Sequence, residues 1–259
     1  MTTTTPRIQT PKPYQWIAHY YDEIFGPPES PIADAREKLL SPILQQIRSA
    51  CDLACGTGTT AISLASRGIT TYAVDLSPAM CRLAREKAHR AGVSIEIIQA
   101  DMTDFGLPEP VDLITCESDA LNHIPRRSDL RCVARAVAKA LRPGGHFFFD
   151  VNTELGFEHY WTGNTWIEKV GVVLVMRNAH ERGTNHAACD LEWFIQQGDC
   201  WYRYRERVEE VCWTAEEIRQ TLAEVGLDGL QSWDAASYCD KNTRVPAGCH
   251  MIYLARKSK

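Results

Sequence analysis

The feature that most constrains this chain is an alternation between two kinds of apolar segment from residue 36 to residue 150. Short, nearly continuous apolar runs occupy 50–54, 71–74, 94–98, 111–116 and 146–151. Between them lie longer stretches whose apolar residues recur every three or four positions, at 35–48, 59–67, 77–91 and 128–141. In 35–48, for example, Leu39, Leu40, Ile43, Leu44 and Ile47 fall on one helical face. Ser77 followed by Pro78 predicts a helix start, and Gly68 and Gly92 predict stops. Strand, helix, strand, repeated with tight turns, predicts a mostly parallel sheet with helices on both faces. Such strands are apolar throughout because both faces are buried. Ligands of these sheets bind outside the carboxyl ends of the strands, at the point where strand order reverses. Asp52 to Gly58, Asp75, Asp101 and Glu117 all fall at such ends.

After about residue 158 the period changes to two. Segments 165–169, 172–180, 188–196 and 201–211 read as extended, punctuated by Gly171, Gly183 and Gly198. An antiparallel meander inserted at 159–213 is expected, roofing the strand ends. Thr214 then starts a helix to about residue 225, and 227–233 and 249–255 predict two closing strands. The expected organisation is one α/β domain built from 14–158 and 214–259, preceded by a disordered Thr- and Pro-rich tail at 1–13.

The formal charge of -5 over 259 residues argues against a broad nucleic-acid surface. No apolar run approaches the roughly 18 residues of a membrane span, so a cytoplasmic protein is expected. The ten cysteines show no C-x-x-C pair and no zinc spacing, which predicts buried thiols and no metal site.

Gly56-Thr57-Gly58 stands where a strand turns into a helix, and glycines there let a ligand approach the backbone closely. Asp75 ends the next strand, placed to accept from the two hydroxyls of a ribose. Asp101-Met102 ends the third, a carboxylate beside an apolar side chain.

With these motifs in order, the chain resembles the class I S-adenosylmethionine (SAM)-dependent methyltransferases over about residues 35–151. Asp52 to Gly58, Asp75, Ala100-Asp101-Met102, Val111 to Glu117 and Leu141-Arg142-Pro143-Gly144-Gly145 are similar to five successive motifs of that family. The resemblance implies a Rossmann-like sheet of seven strands with an antiparallel last strand, and SAM as cofactor. It implies that Ala54, Gly56 and Gly58 hold the methionine part, with Asp52 supporting the turn or the amino group. Asp75 would hold the ribose, Leu76 and Met102 would flank the adenine, and Asp101 would bind it. Cys116 and Glu117 would lie near the sulfonium, with Met80 and Tyr21 completing the cofactor site. A dinucleotide site remains open, because Gly56-x-Gly58-x-x-Ala61 satisfies the relaxed fingerprint.

Glu117-Ser118-Asp119-Ala120-Leu121-Asn122-His123-Ile124 is similar to a stretch of bacterial small-molecule methyltransferases. His123, then Asp119, are the candidate bases; loop capping and packing on the cofactor are the alternatives. Asn122, Asn152, Tyr20, Trp193 and Arg203 are expected to contact the acceptor, with Tyr20 and Tyr21 as lid candidates. Arg203 could bind an anionic acceptor, or belong to a solvated face paired with Glu206, Glu209 or Glu210. The expected reaction moves a methyl group to a nitrogen or oxygen of a small molecule. A protein side chain as acceptor, a non-catalytic SAM-binding module and an NAD oxidoreductase are the alternatives. The aromatic insertion could also join two copies into a homodimer.

Overall fold

A computed structural model describes residues 14, 16–25, 31–239 and 245–259; the expected tail at 1–13 lies outside them. Five strands, β1 (Ser49–Leu53), β2 (Thr70–Asp75), β3 (Glu96–Gln99), β4 (Val111–Cys116) and β5 (Leu141–Asn152), pair in parallel. Two later strands, β10 (Leu227–Asp234) and β11 (His250–Lys257), complete a seven-stranded sheet of order β10-β11-β5-β4-β1-β2-β3. β11 is antiparallel to both its neighbours. Strand order reverses between β1 and β4, and the crevice outside their carboxyl ends is where such a sheet holds its ligand.

Helices cover both faces: α2 (Pro31–Leu44), α3 (Thr59–Ala65), α4 (Pro78–Arg90), α5 (Arg127–Ala140) and α7 (Ala215–Ala223). Their apolar spacing explains their seating. α5 buries Leu130, Val133, Ala134 and Val137 at three- and four-residue intervals against Phe147 and Phe149. Each such large side chain is worth roughly 2 kcal/mol when removed from water. Ser77 caps α4 by accepting from Met80 N–H, and Thr214 with Glu217 forms a reciprocal cap on α7.

The insertion forms a separate antiparallel sheet of β6 (Asn164–Lys169), β7 (Val172–His180), β8 (His186–Gln197) and β9 (Cys200–Val211), in that order. Alternation sorts its two faces. Val172, Leu174, Leu191, Trp193 and Ile195 point inward against an N-terminal helix, α1 (Ile17–Ile24). Trp16 stacks on Tyr204, and the Glu206 carboxylate accepts from the Trp16 and Ile17 N–H groups at the start of α1. A negative charge there also suits the helix dipole. The far end of α1 is tied to the glycine turn: Lys87 donates to Asp22 and Thr57, and Thr57 donates to Asp22. The inserted sheet and the cofactor-side turn thus hold α1 between them.

Some boundaries differ from expectation. α2 runs from residue 31 and stops at 44, not 35–48, because the chain must extend into β1 at Ser49. β5 begins at Leu141 and includes Pro143-Gly144-Gly145, with a register shift against β4 between Val111 and Leu113. A short helix, α6 (Glu154–Tyr160), capped by Thr153, had no apolar period to announce it. Among the described residues no helix is long and apolar enough to cross a membrane. All ten cysteines are free thiols.

Candidate active site

At the end of β1 the backbone enters left-handed conformations at Ala54 (φ 56°), Gly56 (φ 52°) and Gly58 (φ 82°). The two glycines do different work. A Cβ on Gly58 would lie 2.9 Å from Ala84 Cβ, so Gly58 lets α4 approach the turn. A Cβ on Gly56 would meet nothing within 4 Å, so Gly56 borders open space. Asp52 is buried beneath the turn, accepting from Ala61 N–H at 3.0 Å and from the Thr115 hydroxyl at 2.9 Å. Burial pushes its carboxyl up to about 6. Asp75, at the end of β2, accepts from Gly56 N–H and from Ser77 N–H, each at 2.8 Å. It therefore clamps the turn while each oxygen keeps a lone pair for a ligand. Leu76 is 63% exposed beside it. Asp101 is exposed, with Oδ1 held by Thr103, and Met102 is half-buried. Cys116 is fully buried, so only its backbone can face a ligand.

Glu117 pairs with Arg36 of α2 at 2.6 Å through one oxygen. Its other oxygen, Oε1, is buried with no hydrogen-bond partner among the described residues, and burial pushes the carboxyl up to about 7. A buried acceptor left without a donor is costly unless something completes it. These features fit SAM part by part. The Glu117 oxygen suits the ligand's ammonium, open Gly56 its close approach, Asp75 the ribose hydroxyls, and exposed Leu76 a flat adenine face.

The segment after β4 forms a 3-10 turn, Ala120–His123. His123 is neutral, since burial lowers it to about 4. Its Nδ1 lies 3.3 Å from the Glu209 carbonyl, which can only accept, so Nδ1 carries the proton. Nε2 then accepts from the Tyr14 hydroxyl at 2.8 Å. Asp119 is pushed up to about 7 by burial, with His250 opposing and Asp150 adding to the rise. Asn152 Nδ2 donates to Asp119 at 2.6 Å and to Glu210 at 3.3 Å. Asp150 accepts from Ser118 N–H and Asp119 N–H, each at 2.8 Å, and so fixes this loop. His250 contacts Asp150 Oδ2 at 2.6 Å and Asn152 Oδ1 at 3.0 Å. Both are acceptors, so both ring nitrogens donate and His250 is an imidazolium; burial opposes that charge and Asp150 restores it.

Several expected contacts do not reach this place. Asn122 is fully buried and its amide is spent on the Asn152 and Val211 carbonyls and the Asn152 N–H, so it joins β5 to β9. Trp193 is fully buried in the inner face of the insertion, with Tyr20 stacked on it at 6.1 Å. Met80 is buried in the same cluster. Arg203 lies on the outer face, where it, Arg177 and Arg205 all pair with Glu192. Glu206 and Glu210 are on the opposite face of β9, which is why neither is its partner. Asp119, His123 and Asn152 do converge, and the half-buried Tyr21 lies near enough for Asp119 and Asp75 to raise its hydroxyl, after burial itself. Tyr14, Arg36, Asp150, Glu210 and His250 also belong to the site, although no motif in the sequence marks them. The His250 position is legible only through pairing, since it lies opposite Asn152 in the β5–β11 register. A Tyr-x-x-x-Lys spacing, the acid–base pair of short-chain dehydrogenases, occurs at Tyr253 and Lys257. Tyr253 is buried on Phe149 and Lys257 donates to the Ala138 and Leu141 carbonyls, so neither serves a dinucleotide.

Residues 50–145 match the methyltransferase domain family. A putative methyltransferase of Geobacillus sp. (strain WCH70) is 25% identical over 225 residues, spanning 84% of this chain and 90% of that protein. The crystal structure of a SAM-dependent methyltransferase from Clostridium acetobutylicum ATCC 824 superposes with a TM-score of 0.78 at 25% identity, covering 96% of this chain and 100% of that one. A sugar N-methyltransferase from Streptoalloteichus sp. ATCC 53650 has the same fold, with a TM-score of 0.73 at 20% identity, covering 100% and 98%. With the seven-stranded sheet and the fitted cofactor residues, these matches support a SAM-dependent methyltransferase of class I, an enzyme with SAM as its cofactor.

Proposed function

We propose that this enzyme transfers a methyl group from SAM to a nitrogen or oxygen of a small molecule held against Asp119, His123 and Tyr14. The carrying observation is the Tyr14–His123 hydrogen bond at 2.8 Å, which joins the segment before α1 to the loop after β4. That bond ties the segment before α1 to polar groups drawn from several elements, and convergent polar groups of this kind suit a small acceptor. The sugar N-methyltransferase of the same fold supports the reading by its own acceptor class. SAM, when bound, supplies an activated methyl group. The chain's residues align the acceptor, exclude water and take up a proton. Asp75 and Leu76 would hold the ribose and adenine, Glu117 the ammonium, and Asp101 and Met102 the far edge of the adenine. Neutral His123 is competent as a base only when Tyr14 releases its Nε2 lone pair. The outer face of the insertion, with Trp166 64% and Trp201 51% exposed, is where two copies would associate. Sedimentation at increasing concentration tests that association.

Calorimetric titration with SAM, with its demethylated product S-adenosylhomocysteine and with NADH tests the cofactor assignment. A panel of small amines and alcohols then tests transfer. Binding of the first two alone, with turnover on some member of the panel, is expected. Turnover on a protein substrate and on no small molecule would overturn the acceptor class.

A further inference from the structure

Resting on that reading, we propose that Asp119 and Glu210 form a subsite for the ammonium group of an amine acceptor and take its proton before methyl transfer. The donor atoms of Asp119, His123 and Glu210 lie within 4.8 Å of one another. A nitrogen placed among three atoms so spaced is no more than about 2.8 Å from each, the length of a charged N–H···O bond. A second observation points to a ligand. Glu210 is 3% exposed, yet among the described residues only its Oε2 is hydrogen-bonded, to Asn152. Its Oε1 faces His123 Nε2 at 3.8 Å. That oxygen makes no hydrogen bond among the described residues, on a side chain that is 4% exposed, and so is free to accept from an incoming N–H.

The surrounding groups fix the charge this place accepts. Glu210 comes from β9, Asp119 from the loop after β4, Asp150 and Asn152 from β5, His250 from β11, and Tyr14 and Tyr21 from the N-terminal segment. Three of these are carboxyls and only His250 is a cation, which Asp150 already engages. Burial raises both carboxyls well above their ordinary range, and neighbouring carboxylates add to it, Asp150 at Asp119 and both Asp119 and Asp150 at Glu210. A cation relieves that repulsion, and a neutral alcohol does not. On the third side the Tyr14 oxygen keeps a lone pair for another N–H while donating to His123.

The step balances. One ammonium N–H proton passes to Glu210 or Asp119, leaving a neutral amine with a free lone pair. That pair forms the new N–C bond to the methyl carbon as the C–S bond breaks and its electrons stay on sulfur. The product is a methylated ammonium, and the carboxylic acid later loses its proton to water. Carboxyls shifted toward neutrality are better matched to this transfer than ordinary ones.

The test uses the full chain saturated with S-adenosylhomocysteine and two probes of similar shape, cyclohexylamine and cyclohexanol, titrated near pH 7. The amine should bind at least roughly tenfold more tightly than the alcohol and release protons from the two carboxyls. Glu210→Gln and, separately, Asp119→Asn should each weaken the amine roughly tenfold or more while S-adenosylhomocysteine still binds. Equal binding of the two probes, no saturable binding of the amine, or an amine affinity unchanged in both variants would overturn the proposal. So would amine binding that requires added Mg²⁺ or Mn²⁺ and is abolished by EDTA, since the cluster would then hold a metal. In each case retained S-adenosylhomocysteine binding leaves the methyltransferase reading standing. Loss of that binding in the unmodified protein would be a failure of the reading itself.

Discussion

Asp119→Asn should make the ligand-free protein more stable at alkaline pH, and the effect should shrink as pH falls and vanish only below about pH 4. Asp119 lies in the left-handed region (φ 53°), which Asn tolerates well, so the substitution adds no backbone strain. Its carboxyl rises from 3.8 to about 7 in the fold, chiefly by burial. Such a group binds its proton more tightly folded than unfolded, so stability falls as pH rises from about 4 to about 7 and is then level. The ionised form is disfavoured by on the order of 4 kcal/mol at most. Asn resembles the protonated acid, keeps the bond from Asn152 and escapes this loss. Even half of that difference raises the melting temperature by roughly 4–8 °C in a chain of this size. Melting curves of both proteins near pH 8 and near pH 5 make the comparison. A variant no more stable than wild type near pH 8, or an equal gap at both pH values, would refute the reasoning.

The remaining expectations concern single contacts. Asp75→Ala should weaken S-adenosylhomocysteine roughly 10- to 100-fold by calorimetry, because Gly56 and Ser77 lose their acceptor along with the ribose; unchanged affinity would sink the site assignment. Gly58→Ala should destabilise by roughly 1–3 kcal/mol in denaturant melts, since its Cβ meets Ala84 at 2.9 Å, and Gly56→Ala should lose less than that. His123, lowered to about 4, should stay neutral across the working range, so pH profiles of His123→Ala and wild type should share any inflection near 7. A near-neutral inflection lost only in the His123 variant would assign it there instead. Glu192 is opposed by burial, yet held near 2 by Arg177, Arg203 and Arg205. Glu192→Gln should lower stability by roughly 1 kcal/mol, discounted because all three arginines are half-exposed; an unchanged melt would show that the cluster contributes nothing.

The central sheet and the cofactor half of the site were legible because they are local. A strand end, a glycine turn and a carboxylate at the next strand end follow one another within residues 52–75, so position marks Gly56 and Asp75 as candidates, and the family resemblance adds Asp52. The acceptor half is assembled from residues far apart in the chain. His250 reaches Asp150 across 100 residues and Tyr14 reaches His123 across 109. Only strand pairing and the seating of α1 create those contacts, and neither is periodic in sequence. Arg203 illustrates the reverse error. Period two allows Arg203 a solvated face, but the register to β8, and hence Glu192 as its partner, is set by the turn between Gln197 and Cys200. Asn122 misled for a related reason: an amide beside a candidate base is equally suited to tie three backbone segments together.

The acids that made the acceptor half hard to read also explain the sign of the whole crevice. Asp52, Glu117, Asp119, Asp150 and Glu210 are all buried or half-buried there, against two cations, Arg36 and His250, each already bonded to one of them. Desolvation holds Asp52, Glu117 and Asp119 near 6 to 7, so their ionised forms carry an electrostatic penalty at neutral pH. Cationic ligands remove it. SAM carries a sulfonium that its demethylated product lacks, so the same field favours the methyl-loaded cofactor over the spent one. An ammonium acceptor would relieve the remaining carboxyls on the other side. The stability that Asp119→Asn is expected to recover is therefore the free energy the wild-type site holds in reserve for binding charge.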